Sequence, residues 1–136
     1  MDITESVQKA SIEAFVACCK HIHREDQGIH TYLFILEVFF PIVHHKLAHS
    51  TQRDERIMAC KLIHHTASIL GSEIISQFGV SELLLLVRDP YCQVRKHAIL
   101  ALGPVSDVLD SEIVEQGIYN ALLNNTKVFP RVRYYL

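Results

Sequence analysis

The sequence predicts an all-α protein: an α-α superhelix of about three helix pairs followed by a C-terminal stump. Three observations predict it. Residues recur at one constant offset: Arg56 and Arg95, Ala59 and Ala98, and the triplets Ser72-Glu73-Ile74 and Ser111-Glu112-Ile113 are each 39 positions apart. Self-similarity at a period of about 40 residues marks arrays of stacked helix pairs. Apolar residues return at helical spacings of three and four along most of the chain, and no alternating β pattern of useful length appears.

The elements follow in order. Asp2 and Glu5 read as an N-cap with its capping-box partner. Behind them Val7, Ser11, Ala14, Phe15, Cys18 and Ile22 form one helical face, and Gly28 suits a helix end. A second helix runs from about Tyr32 to His49 with Pro41 inside it, which predicts a kink or a late start. Thr51 is placed to cap a third helix, whose apolar face holds Ile57, Leu62, Ile63, Ala67 and Leu70 and which Gly71 ends. A fourth helix spans about Glu73 to Arg88, and Asp89-Pro90 forms a turn. The fifth spans about Cys92 to Leu109 with a bend at Gly103-Pro104, and Asp110 or Ser111 caps a sixth that closes at Asn124-Asn125.

Residues 128–136 read as the start of an unfinished seventh helix. The chain is therefore one domain, residues 1–136, with pairs at about 2–49, 51–88 and 90–125 and a partial repeat at 128–136. A single pair cannot bury its own apolar face, so the pairs must stack. The C-terminal end lacks a polar cap, and Tyr134, Tyr135 and Leu136 offer a surface for self-association.

Composition narrows the class. Of the 136 residues, 49 % are hydrophobic and 21 % charged, enough to build a core. A net charge of −2 excludes a nucleic-acid binder that relies on a broad basic face. The four cysteines form no C-x-x-C pair and are expected to be buried and reduced. The polar, acidic start MDITESVQKA has no secretory h-region, and the apolar stretch Phe34–Val43 is too short for a membrane span. The expected location is the cytoplasm or the nucleus, with no membrane and no nucleic-acid partner.

Nine histidines raise the question of a metal. His45 and His49 are four apart and would share one face of an α-helix, with His44, His64 and His65 nearby. No H-E-x-x-H motif and no His-Glu dipeptide occurs, and by the repeat offset these histidines fall at core or rim positions. Cys18 and Cys92, each near a histidine in sequence (His21 and His97), could suggest a thiol–imidazole pair, but a core thiol is the plainer reading. No G-x-S-x-G elbow, P-loop or dinucleotide fingerprint is present. The expectation is a protein that is not an enzyme and has no catalytic residues, metal or cofactor. Arg88, Arg95, Lys96 and His97 form a basic cluster that could attract phosphate or an acidic peptide, though clustered charge is usually plain surface.

Asp89-Pro90-Tyr-Cys-Gln-Val94-Arg95-Lys-His-Ala98, followed by Leu100-Ala-Leu-Gly103-Pro104, resembles the HEAT repeat. That resemblance implies a ladder in which a turn Asp and an Arg pair along the stack, with Asp89, Arg56 and Arg95 as its members. Ser50 stands where the preceding Asp belongs, and Val132-Arg133 recurs 38 rather than 39 after Val94-Arg95, so the ladder is incomplete. Phe39-Phe-Pro41-Ile-Val43 ahead of Lys46-Leu-Ala48, and Gln93-Val-Arg-Lys96 leading into Ala101-Leu-Gly-Pro104, are similar to stretches of the HEAT-repeat regulators of serine/threonine phosphatases. The likeness is to the kind represented by regulatory subunit 1 of protein phosphatase 4 and, more distantly, by the protein phosphatase 2A scaffold subunit. It implies a non-catalytic scaffold or regulatory module that binds a phosphatase catalytic subunit through the ridge of turns within pairs. Here those turns are Gly71-Ser72-Glu73 and Asp110-Ser111-Glu112, which ordinary helix capping would also explain. A generic HEAT adaptor in transport, cytoskeletal or chromatin assembly is the alternative, and a His-based metalloenzyme a weaker one.

Overall fold

The computed structural model describes residues 5–26, 33–114 and 118, and among them every regular element is helical, with no strand. Helix α1 spans Glu5–Asp26. The next helix, α2, is built from two wide π-type segments, Ile35–Phe39 and Pro41–Ala48, joined at Phe40. Helix α3 spans Arg53–Ile74, and a π turn at Ile75–Gly79 leads into α4, Val80–Leu86. Helix α5 spans Cys92–Val108, and Ser111–Ile113 opens α6. Asp2, Gly28, the start of α2 at Tyr32, the end of α6 and the stump at 128–136 lie outside the described residues. Among the described residues, no single helix is long and apolar enough to cross a membrane.

The first helices of successive pairs, α1, α3 and α5, lie side by side, and the most extensive packing in the molecule is α3 on α5. Helix α2 packs on α3, and α4 packs on α5, as a second layer. Helix α3 is central and is accordingly buried on most of its circumference, with Met58, Ala59, Cys60, Leu62, Ile63, Ala67 and Leu70 all in the core. The burial pattern repeats with the sequence. Ala59 and Ala98, Leu62 and Ala101, Ile63 and Leu102, Thr66 and Val105, and Leu70 and Leu109 are all buried, each pair 39 apart. Phe15 packs on Phe39 and Phe34, with ring centroids 5.1 and 5.8 Å apart, and so joins α1 to α2.

The repeat extends to individual hydrogen bonds. Ser50 Oγ accepts from the Gln52 N–H at 3.1 Å, as Asp89 Oδ1 accepts from the Tyr91 N–H at 3.0 Å. Gln52 and Tyr91 then enter their helices with nearly identical dihedrals, φ −91° with ψ 124° and 126°. Arg56 Nη1 donates to the Ser50 carbonyl at 2.9 Å, and Arg95 Nη1 to the Asp89 carbonyl at 2.7 Å. Serine thus performs the local half of the aspartate's work. Thr51 does not cap α3: the N-cap position falls at Gln52, because Ser50 already closes the turn in front of it.

The inter-pair half of the work falls to Asp89. Its carboxylate accepts Arg56 Nε at 2.6 Å and Arg56 Nη2 at 3.1 Å, a bidentate bridge across 33 residues in which both partners are buried. The pairing runs from the arginine of one pair to the aspartate of the next turn; Arg95 reaches the backbone of its own turn, at Asp89 and Pro90. The Tyr91 ring lies 5.5 Å from the Arg56 guanidinium carbon and adds a cation–π contact.

Three further expectations need correction. The inward face of α1 runs through Gln8, Ile12 and Cys19, with Phe15 and Val16 packed at its edge, while Val7, Ser11, Ala14 and Cys18 are exposed. A polar Gln8 can sit inside because its Oε1 accepts from Lys61 Nζ at 2.9 Å. Second, the cysteines divide: Cys19 and Cys60 are buried, but Cys18 and Cys92 are exposed. Burial, with the Asp89 charge beside it, pushes the Cys60 thiol up to about 12. Burial, with Cys18 beside it, pushes Cys19 up to about 11. Third, α2 is a π-type helix rather than a kinked α-helix; Pro41 has no N–H to donate to an i−4 carbonyl and opens the second wide segment.

Gly71 interrupts α3 as its sequence position suggests. Its φ of 82° and ψ of 172° fall in a region that essentially only glycine occupies, and helical bonding resumes when Ile75 N–H donates to the Gly71 and Ser72 carbonyls. A Cβ at Gly71 would meet nothing within 4 Å, so any cost of adding one is backbone strain alone. Two predictions follow from these two features. Arg56→Ala and Asp89→Ala each lower stability by about 3–5 kcal/mol, since each strands a buried charge, and the double variant loses less than the sum. Gly71→Ala lowers stability by about 1–3 kcal/mol, whereas Gly103→Ala, in open space within α5, raises it by roughly 0.5–1 kcal/mol. Urea unfolding of the variants measures both.

Candidate functional site

Three places in the fold collect chemistry-bearing side chains. The first is the pair of turns singled out in the sequence. Each follows the first helix of its pair, Gly71-Ser72-Glu73 after the main run of α3 and Asp110-Ser111-Glu112 after α5. Ser72, Glu73, Asp110, Ser111 and Glu112 are exposed, and Gly71 is half-buried. The turns are not copies in backbone geometry. Asp110 takes φ −64° and ψ 143° at the position equivalent to Gly71, so one pair turns through a conformation reserved for glycine and the next through ordinary extended backbone. Asp110 is the N-cap residue of α6, yet no side-chain cap bond forms there. The serine and the acid stay outward in both turns, with no helix N–H claiming the Asp110 side chain.

The second place is a groove of about 640 Å³ formed by α1, α3 and α5. Ile12, Val16 and Leu100 supply apolar wall, and Lys61, His64 and His97 supply polar groups from the two central helices. Lys9 and Lys20 from α1 add positive charge, opposed by Glu5 and Glu13. The sequence pattern did not reveal this groove, because α1 lies outside the 39-residue recurrence. The basic cluster read from the sequence divides in space. Arg95 turns to the Asp89–Pro90 backbone, while His97 faces the groove near Lys61 and Lys96.

The third place joins α2 to α4. His44 and His49 converge on Glu82, a carboxylate that is 5 % exposed. The expected face-sharing pair was His45 and His49, at the α-helical spacing of four. In the structure His49 instead joins His44, five positions earlier: His44 lies within Pro41–Ala48, and His49 is the residue that closes this segment, with φ −102° and ψ 12°. Glu82 gave no sequence signal of burial, since a charge within the run Ser81–Leu86 reads as a solvated position.

The groove histidines titrate below the ordinary value. Burial, then His65, lowers His64; burial, then Lys61, Lys96 and His64, lowers His97. The unfolded chain therefore binds more protons than the folded one between the lowered values and 6.5, and stability rises with pH across that interval. Their contribution is complete above 6.5 and is lost as pH falls through the folded values. Lowering the pH from about 7.5 to about 5.5 should reduce the urea midpoint, and the reduction should be smaller in a His64→Gln/His97→Gln variant. An equal reduction in the variant would show that these two histidines do not carry the dependence.

Comparison with known proteins adds no assignment: no family model matches the chain, and no curated protein matches it.

Proposed function

We propose that the chain is a non-catalytic helical-repeat module of the HEAT type that holds a protein partner, and that the partner is the catalytic subunit of a serine/threonine phosphatase of the protein phosphatase 4 or 2A type. The observation that supports the repeat reading best is the turn-and-arginine unit. Ser50–Gln52–Arg56 and Asp89–Tyr91–Arg95 make the same two local hydrogen bonds at a 39-residue offset, and Arg56 links one unit to the next. An array built this way contacts only its neighbours and leaves the turns within pairs free for recognition. The phosphatase reading rests on the sequence resemblance carried by Phe39–Ala48 and Gln93–Pro104.

In this reading the exposed turns present Ser72, Glu73, Ser111 and Glu112 as a discontinuous polar ridge, and the stacked α3 and α5 keep the two turns at a fixed separation. Two short acidic contacts on a rigid spacing discriminate by register as well as by charge. No residue of this chain takes part in the chemistry of the bound enzyme.

The test is capture of a purified phosphatase catalytic subunit by the chain, followed by Glu73→Lys and Glu112→Lys. Both positions are exposed, so the variants should keep wild-type melting behaviour. Capture by the wild type is expected, with each reversal weakening it by at least about tenfold. Capture unaltered by both reversals would place the contact elsewhere on the array. No capture of the phosphatase, with another cytosolic or nuclear protein retained, would make the chain a generic adaptor.

A further inference from the structure

The geometry points to a metal site: we propose that His44, His49 and Glu82 bind a borderline divalent cation of the Zn²⁺ kind at the junction of α2 and α4. One ligand atom from each residue lies within 4.8 Å of the others. One imidazole comes from within α2 and the other from the residue that closes it, and the carboxylate comes from the helix of the neighbouring pair.

The buried carboxylate makes this more than a surface cluster. Glu82 is one of the five buried polar or charged side chains among the described residues. His44 Nδ1 contacts Glu82 Oε1 directly. The second oxygen, Oε2, is buried and accepts no hydrogen bond; His49 Nε2 stands 3.3 Å away outside hydrogen-bond geometry. A buried carboxylate oxygen without a partner is costly. A proton shared between His44 and Glu82 would satisfy Oε1 and leave Oε2 as it is. A cation placed between the two imidazoles and the carboxylate satisfies the whole group.

The surroundings hold the ligands in place. His44 stacks on Phe40, centroids 4.9 Å apart and planes 13° from parallel, and meets the rings of His45 and His49 edge-on at 4.7 and 4.8 Å. Packing of this kind restricts ring rotation much as an outer-shell hydrogen bond does. His49 is the mobile partner, with 47 % of its side chain exposed. Tetrahedral coordination at 2.0–2.2 Å sets ligand atoms about 3.3 Å apart; His49 Nε2 already stands 3.3 Å from Glu82 Oε2, and His44 draws back from Oε1 to admit the cation.

The donor set selects the ion. Two imidazole nitrogens and one carboxylate oxygen suit zinc and its borderline neighbours, while calcium and magnesium require mostly oxygen ligands. Three protein ligands leave a fourth position on the solvent side, where His49 opens outward. That position takes water or a donor from a bound partner. Because α2 and α4 belong to successive pairs, the cation also clamps two repeats on the layer opposite the groove side of α3.

The experiment is a Zn²⁺ titration of the full chain after chelator treatment, competed against a chromophoric chelator, with thermal melting at each step. One equivalent is expected to bind and to raise the melting temperature. His44→Ala, His49→Ala and Glu82→Gln should each weaken binding by more than tenfold, while His65→Ala, an exposed histidine on α3, leaves it unchanged. Glu82→Gln keeps the side-chain shape and guards against loss of fold, which circular dichroism checks. Substitution by Co²⁺ should give the strong visible bands of a four-coordinate site in the wild type and not in the three ligand variants. Absence of stoichiometric binding, or binding that survives in a folded His44→Ala/His49→Ala variant, overturns the proposal.

Discussion

The Arg56–Asp89 bridge is the interaction on which the rest of the molecule depends. Neither charge could be buried alone, and each is buried because the other is there. The guanidinium also donates from Nη1 to the Ser50 carbonyl and lies against the Tyr91 ring. A single side chain on α3 therefore ties together the turn before its own helix and the turn after the next one. Everything nearby is consistent with that constraint, including the fully buried Cys60, whose thiol is kept protonated by burial and by the same carboxylate.

This bridge also decides which turns stay open to solvent. With the turns between pairs committed to internal bonding, the turns within pairs are the ones left outward, and the groove along α1, α3 and α5 forms on one layer while the His44–His49–Glu82 cluster forms on the other. The arrangement favours contacts that depend on spacing between repeats over contacts made by a single adaptable loop.

Much of the first-helix architecture could be read in the chain because the same residues appear twice. The 39-residue recurrence relates α3 to α5, and the glycine and the Asp-Pro pair mark the break at Gly71 and the turn at Asp89-Pro90. Three features could not be read, each for a physical reason. The pattern of Asp and Arg does not say which arginine an aspartate meets, because that depends on how far one pair is offset from the next. The π winding of α2 follows from hydrogen-bond register, and the 3.6-residue period used to assign faces fails wherever the register is wider. The inward face of α1 was misplaced by one residue because Gln8 is buried through a bond to Lys61, a partner 53 positions away. The same limit hid the metal-ligand set: His44 and Glu82 are 38 residues apart and meet only after two pairs have packed.

The 33-residue span of the Arg56–Asp89 link has a consequence for the order in which the chain becomes structured. Closing a loop of that length carries a length-dependent entropy cost of about 3 kcal/mol, modest beside the contacts it brings together. No part of α3, α4 or α5 has to wait for a distant terminus before it can bury its apolar face, since each packs on the next helix or the next but one in the chain. Topologies of this local kind fold rapidly, in contrast to sheets that must pair remote strands. The centre of the array can thus order first and serve as the template on which α1 and α2 dock, which matches the gradient from a closely packed α3–α5 core to an α1 that shows much of its length to solvent.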